Sequence, residues 1–219
     1  MPADLIHLVR HGEVFNPDHV LYGRIPGFGL SELGAKMAKV SADSKIGRPI
    51  TRLYASPLQR TQESAAPWSA DFGLEINTDD RLIEPWNDFE GTAGFGAKVL
   101  RNPKFWPKLR NPFKPSWGEP YASIAARMLL AIEDAWNATE SGEVVLVSHQ
   151  LPIWMVHREL AGERLFHDPR RRRCALSSIT TLVAHPSAVS GTGGVTFAEV
   201  DYQDPAAALQ ASAIDLGAV

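Results

Sequence analysis

The sequence predicts an α/β fold, a three-layer α/β/α sandwich on a mainly parallel central sheet. Three apolar runs, Leu5 to Val9, Arg52 to Ala55 and Val144 to Val147, have the length and composition of buried strands. Each is followed by a stretch of helical periodicity, and strands alternating with helices favour parallel pairing. Two of the runs end abruptly in chemistry, at Arg10-His11-Gly12 and at Ser148-His149-Gln150.

The elements follow in order. After the first strand, Ser31 is placed to cap a helix whose Leu33, Met37 and Val40 share a face. After the second, Ser56-Pro57 supplies an N-cap and a first-turn proline for a helix running towards Ala66, where Pro67 should end or kink it. From Glu84 to Trp117 regularity fails, because Pro85, Gly91, Pro103, Pro107, Pro112 and Pro115 break it while Trp86, Phe89, Phe105 and Trp106 supply apolar bulk. We expect a long insertion near the active site, either a lid or a satellite core under a loop. Beyond Pro120, Ile124, Met128, Ile132 and Ala135 share a helical face ahead of the Val144 to Val147 strand. Pro152, Ile153, Val156 and Leu160 mark the next helix, closed by Gly162. Ala175 to Val183 and Val195 to Val200 read as strands, and Gly191 to Gly194 between them as a hairpin connection, since no Lys-Ser/Thr follows those glycines. One domain over residues 1–203 is expected, with an Ala-rich tail over 204–219 that is a frayed helix or lacks order.

With 219 residues, 44% of them hydrophobic, the chain can bury one substantial core, and a net charge of −3 gives it no basic field to gather nucleic acid or an anionic membrane. Asp4 interrupts the start and no run of about 18 apolar residues occurs, so neither a signal peptide nor a membrane span is expected. The expectation is a cytoplasmic protein with a small partner, and with neither nucleic acid nor membrane as a partner. Cys174 is the only cysteine, which excludes an internal disulfide and suits a small buried residue. His7 and His11 fall on one strand face, but without a His-Glu-x-x-His helix or a cysteine pair no metal and no cofactor are expected. The run Arg170 to Arg173 is either a nucleic-acid patch or a set of solvated and ion-paired arginines, one or two of which contact substrate or the sheet edge.

Ligands in open α/β sheets gather at the carboxyl ends of strands. Arg10 and His11 fall at such an end, Arg60 lies near the start of the second helix, and His149 follows the later strand. Two arginines and two imidazoles around one point make a plausible phosphate pocket, with helix N-termini adding N–H donors. A structural histidine bonded to backbone is the alternative for each imidazole.

The segments Leu8-Val9-Arg10-His11-Gly12-Glu13, Leu30-Ser31-Glu32-Leu33-Gly34, Ala55-Ser56-Pro57-Leu58-Gln59-Arg60-Thr61, Leu82-Ile83-Glu84 and Val147-Ser148-His149, in this order, resemble the histidine phosphatase superfamily, which includes cofactor-dependent phosphoglycerate mutases and many phosphomonoesterases. The resemblance implies that His11 is the nucleophile and forms a phosphohistidine. It implies that Arg10, Arg60 and His149 hold the phosphoryl oxygens and that Glu84 protonates the leaving alcohol. Asn16 and Gly23 resemble substrate-phosphate contacts of the mutases, although Asn16 is one residue closer to the histidine than the mutase pattern has it, and Arg24 stands where mutases tend to have tryptophan. Glu13 either extends the motif or is an ion-paired carboxylate. No adjacent arginine pair follows Glu84 in the irregular segment, which departs from the mutases, and Phe89-Glu90-Gly91 and Trp117-Gly118-Glu119 resemble phosphatase-like members. The expected function is therefore phosphomonoester hydrolysis. A phosphoglycerate mutase, or a non-catalytic protein binding a phosphorylated ligand, is the alternative.

Overall fold

The computed structural model describes residues 2–92, 117–186 and 195–215. Strand β1 (Leu5–Arg10) leads to helix α1 (Glu32–Asp43), β2 (Ile50–Ala55) to α2 (Gln59–Phe72), and β3 (Ile76–Thr78) follows. Then come α3 (Tyr121–Ala138), β4 (Glu143–Ser148), α4 (Gln150–Leu160), β5 (Ile179–Pro186), β6 (Val195–Gln203) and a short α5 (Ala207–Gln210). The six strands form one sheet in the order β3-β2-β4-β1-β5-β6, parallel from β3 through β1 and antiparallel at β5 and β6.

Alternation along the central strands builds both cores. Ile6, Leu8, Val144 and Leu146 pack with α3 and α4, whereas Val9, Leu53, Val145 and Val147 pack with Ala42 of α1 and with Ala65 and Trp68 of α2. A strand covered on both faces has no polar side to show, which is why β1 and β4 read as near-continuous apolar runs. β4 lies between β1 and β2 with Arg10 opposite Ser148 and Ala55 opposite Val147. The residues that follow all three strands therefore emerge together at one edge of the sheet.

Several expectations need correction. Leu58, not Ser56, is the N-cap residue of α2, and no side chain caps that end. Pro67 neither ends nor starts anything: it lies inside α2, which runs on to Phe72 and stops at Gly73 in the left-handed region (φ 67°). A proline inside a helix costs roughly 3 kcal/mol. Burying a large apolar side chain contributes about 1.5–3 kcal/mol, so wholly buried Trp68, with partly buried Phe72 and Leu74 packed on the same core, offsets that loss. On α1 the buried face is Gly34, Met37, Ala38, Ser41 and Ala42, and Val40 lies outside it. β5 starts at Ile179, because the preceding residues turn back over the end of β1 with Ser177 at φ 58°. β3 was not expected. Of the irregular segment, Phe89 packs with Leu21 and Trp117 as a small satellite core. Residues 93–116, including Phe105 and Trp106, and the glycine cluster Gly191 to Gly194 lie outside the described residues.

Candidate active site

Arg10, His11, Arg60, Glu84 and His149 are wholly or almost wholly buried at the carboxyl edge of the sheet. Arg10 closes β1; its backbone N–H donates to the Ser178 carbonyl at 3.1 Å and its Nη1 to the Cys174 carbonyl at 2.7 Å. His11 follows, its ring Nδ1 2.7 Å from the Gly12 carbonyl. A carbonyl only accepts, so Nδ1 carries the proton and Nε2 keeps its lone pair. The loop can turn here because the backbones of Gly12–Glu13 and Gly34 touch: a Cβ on Gly12 would strike the Gly34 carbonyl, and one on Gly34 would strike that of Glu13. Gly12 N–H donates to Ser64 Oγ of α2 at 3.1 Å, which ties the loop to the helix that carries Arg60.

Arg60, on the first turn of α2, donates from Nη2 to the Gly23 carbonyl at 2.8 Å and lies 4.8 Å above the Tyr22 ring. His149 precedes α4, with Nε2 2.8 Å from Ser56 Oγ and its ring edge-on to His11, centroids 5.2 Å apart. Glu84 is brought in from two sides. Ser148 Oγ donates to the Leu82 carbonyl at 2.7 Å, and Arg24 Nε donates to the Glu84 carbonyl at 2.5 Å. Glu84 Oε2 then lies 3.3 Å from His149 Nδ1. Among the described residues, Arg10 Nε, His11 Nε2, Arg60 Nε, Glu84 Oε1 and His149 Nδ1 are buried polar atoms without a hydrogen-bond partner. Buried polar atoms are rarely left so. Their gathering at one edge of the sheet leaves five polar atoms able to bind a polar group.

Burial, then the Arg60 and Arg10 charges, holds His11 well below the usual histidine range, and burial followed by Arg60 does the same to His149. Both rings are therefore neutral at neutral pH. Burial pushes the Glu84 carboxyl up to about 7 against the opposing pull of Arg60, Arg172 and Arg10. A neutral imidazole with an unpartnered lone pair, two fixed guanidiniums and a carboxyl half-protonated near pH 7 can together attack a phosphoryl group, neutralise its oxygens and protonate a leaving alkoxide.

The other residues singled out from the sequence are placed differently. Asn16 exchanges hydrogen bonds with the backbone of Val20, at 2.9 and 3.0 Å, and lines a separate shallow pocket beside Pro17 and His19. Gly23 (φ 40°) offers its carbonyl to Arg60, and a Cβ there would strike the Glu90 carboxylate. Glu13 accepts from Ser31 Oγ and from the Ile214 N–H. His7 does not join His11; it bonds Glu143 at 2.8 Å and Thr181 at 3.0 Å. Cys174 is buried, its thiol pushed up to about 11 by desolvation. Sequence reading missed two residues: Ser56 holds His149, and Asp215 grips Arg10 Nη1 and Nη2 at 2.8 and 2.5 Å. Within the run Arg170 to Arg173 it did not single out Arg172, whose charge acts on Glu84. Ser56 carried a signal, being a polar residue directly after a buried strand; Asp215 carried none. Among the described residues no group of three or more histidine, cysteine or acidic side chains is arranged to hold a metal, and no helix is long and apolar enough to cross a membrane.

Comparison with known proteins bears on this arrangement. A model of the histidine phosphatase superfamily (branch 1) matches residues 6–190. The chain is 51% identical over 209 residues to the uncharacterized protein Rv0525 of Mycobacterium tuberculosis, covering 94% of this chain and 100% of that one. It is 31% identical over 166 residues to phosphoserine phosphatase 1 of Hydrogenobacter thermophilus, covering 71% and 75%. Among solved structures, mycobacterial glucosyl-3-phosphoglycerate phosphatase Rv2419c superposes with a TM-score of 0.69 at 23% identity, covering 92% of this chain and 98% of that one, which speaks to fold.

Proposed function

The chain belongs to the histidine phosphatase superfamily, and on that footing we propose that it is a phosphomonoesterase, hydrolysing a small phosphorylated metabolite through a phosphohistidine on His11. The observation that carries this reading is the buried cluster of unpartnered atoms, in which a neutral His11 Nε2 lies with Arg10 Nε, Arg60 Nε and the Glu84 carboxyl. His11 Nε2 attacks phosphorus as the bond to the ester oxygen breaks, and Glu84 gives its proton to that oxygen. Arg10, Arg60 and the edge of His149 take the charge on the three transferring oxygens. Water then attacks the phosphohistidine, Glu84 accepts its proton, and inorganic phosphate leaves with His11 restored.

Hydrolysis is favoured over mutase chemistry because no adjacent arginine pair lies between Glu84 and Trp117, and because the relative at 31% identity carries a phosphatase name. A panel of phosphate esters, assayed for phosphate release and for acid-labile phosphate on the protein, tests it. The expectation is turnover by the wild type, a labelled protein on rapid quenching, and neither with His11→Ala. Fast interconversion of phosphoglycerates without phosphate release would overturn hydrolysis; turnover without a labelled protein would overturn the covalent route.

A further inference from the structure

Strand β2 ends beside β4 with Ala55 opposite Val147, and one further bond carries the pairing past the end of the strand: Ser56 N–H donates to the Val147 carbonyl at 3.0 Å. The Ser56 carbonyl is held in turn by two side chains of α2, Thr61 Oγ1 at 2.9 Å and Gln62 Nε2 at 2.8 Å. Its backbone is thus fixed next to the residue two places after Val147, which is His149. Ser56 is wholly buried, and its Oγ lies 2.8 Å from His149 Nε2.

Which of these two atoms holds the proton follows from what else the hydroxyl meets. A hydroxyl has one proton to give and two lone pairs to offer. The other partner of Ser56 Oγ among the described residues is the Leu58 N–H at 3.5 Å, and an N–H can only donate. His149 Nε2 is therefore the one acceptor within reach of the Ser56 proton among those residues. A proton on Nε2 would instead send two N–H groups at Ser56 Oγ and leave a buried hydroxyl proton pointing at nothing, which buried polar groups rarely tolerate. The ring is neutral, so with Nε2 accepting, its own proton sits on Nδ1. Nδ1 faces Glu84 Oε2 at 3.3 Å, while Glu84 Oε1 has no hydrogen-bond partner. An N–H beside Oε2 disfavours a proton on that oxygen, so protonated Glu84 carries its proton on Oε1. The other tautomer reverses both: it turns a lone pair towards the incoming phosphoryl oxygens and draws the Glu84 proton onto Oε2.

We propose that Ser56 is a positioning residue: by donating to His149 Nε2 it makes Nδ1 an N–H donor to the phosphoryl oxygens and keeps the Glu84 proton on Oε1, the oxygen open to the leaving alcohol. No proton passes along the chain of three. The Oε1–H bond of Glu84 breaks as the new O–H bond forms on the leaving oxygen, the resulting carboxylate finds the His149 N–H beside its Oε2, and Ser56 keeps its own proton throughout. The assignment rests on the phosphomonoesterase reading of the same cluster.

Protein isotope-labelled in its histidine ring nitrogens tests it without turnover. Long-range nitrogen–proton NMR correlations separate the two tautomers, and His149→Gln identifies the His149 signals by their loss. The wild-type ring should be protonated at Nδ1. Ser56→Ala should shift the tautomer ratio towards Nε2 by about 10-fold or more, and Ser56→Thr, which keeps the hydroxyl, should restore it. In turnover, Ser56→Ala should lower kcat/KM by about 10- to 100-fold on the best-hydrolysed alkyl phosphate of the panel. The loss on p-nitrophenyl phosphate should be smaller, because a misplaced proton matters only where the leaving oxygen needs one. A wild-type ring protonated at Nε2, an unchanged tautomer in Ser56→Ala, or equal losses on the two esters would overturn the assignment. Should Ser56→Ala not fold, Ser56→Cys, whose thiol is a weak donor, carries the same readings. If the tautomer depends on Ser56 while the wild type hydrolyses no ester, hydrolysis falls and the placing of the ring proton stands. Hydrolysis by a ring protonated at Nε2 has the reverse meaning.

Discussion

At Glu84 two forces oppose each other, and burial prevails: four arginines, Arg60, Arg172, Arg10 and Arg127, pull the carboxyl down, yet burial pushes it up to about 7. The proposed mechanism needs this acid protonated for its first step, and the protonated fraction falls as pH rises through that value, so kcat/KM should decline above about pH 7. On the acid side His11, held well below the usual range, stays neutral and imposes no limb near 6.5. Glu84→Gln should remove the alkaline limb and slow hydrolysis of alkyl phosphates by about 10²- to 10⁴-fold, with a smaller loss for p-nitrophenyl phosphate, whose leaving group needs little protonation; a pH–rate profile on both esters reads this. The residues at the centre of the cluster were legible because each is a charged or hydrogen-bonding side chain at the end of an apolar run. Ser56 was misread as a cap because capping is the ordinary local use of a serine there, and its bond to His149 spans 93 positions. Arg172 was hidden among three neighbours of the same type, only the fold distinguishing the one turned inward.

The supersecondary frame was legible wherever burial imposes a period. β1, β4, α3 and α4 have strong patterns because each packs a full face, whereas β3 is three residues long with only Ile76 packed against the core, too short to show one. The start of β5 was misplaced because the chain there serves Arg10 and His11: Ser178 O accepts from Arg10 N, and Ser177 N donates to His11 O. Two substitutions test how the elements support the site. Gly34→Ala forces a methyl into the Glu13 backbone, so it should lower stability by about 1–3 kcal/mol in urea titration and reduce turnover, because the same backbone carries His11. Pro67→Ala restores a hydrogen-bonded turn inside α2 and should raise stability by about 1–3 kcal/mol, the helix gain less the freedom returned to the unfolded chain. An unchanged urea midpoint would mean that α2 already accommodates the proline without loss.

Across the molecule, His7, His11, His149 and His167 are all held below the usual histidine value, burial being the first cause in each. A depressed value in the folded state adds stability that is present above about 6.5 and is lost as pH falls, for His167 through about 4. Glu84, raised in the folded state, works in the opposite direction between its unfolded value and about 7. Four groups against one predict a melting temperature that drops from pH 7 to pH 5, which a thermal scan in matched buffers would show; a rise would mean that the imidazoles are more accessible to protons than their burial implies. The tail meets the site at the same scale. Leu209 and Ala213 pack with Met37 and Leu176, and Ile214 N–H is bonded to Glu13, so that Asp215 is delivered onto Arg10. On the proposed reading of the site, a phosphate that takes both Arg10 Nη atoms displaces Asp215, a tethered rival whose effective concentration is on the order of millimolar. Apparent affinity is then the intrinsic affinity scaled by the fraction of molecules whose tail is displaced. Asp215→Asn should tighten the binding of inorganic phosphate, because the competitor loses its charge. On the same proposed reading, this rivalry hastens the exit of product phosphate, as each departure is completed by the return of the chain's own carboxylate.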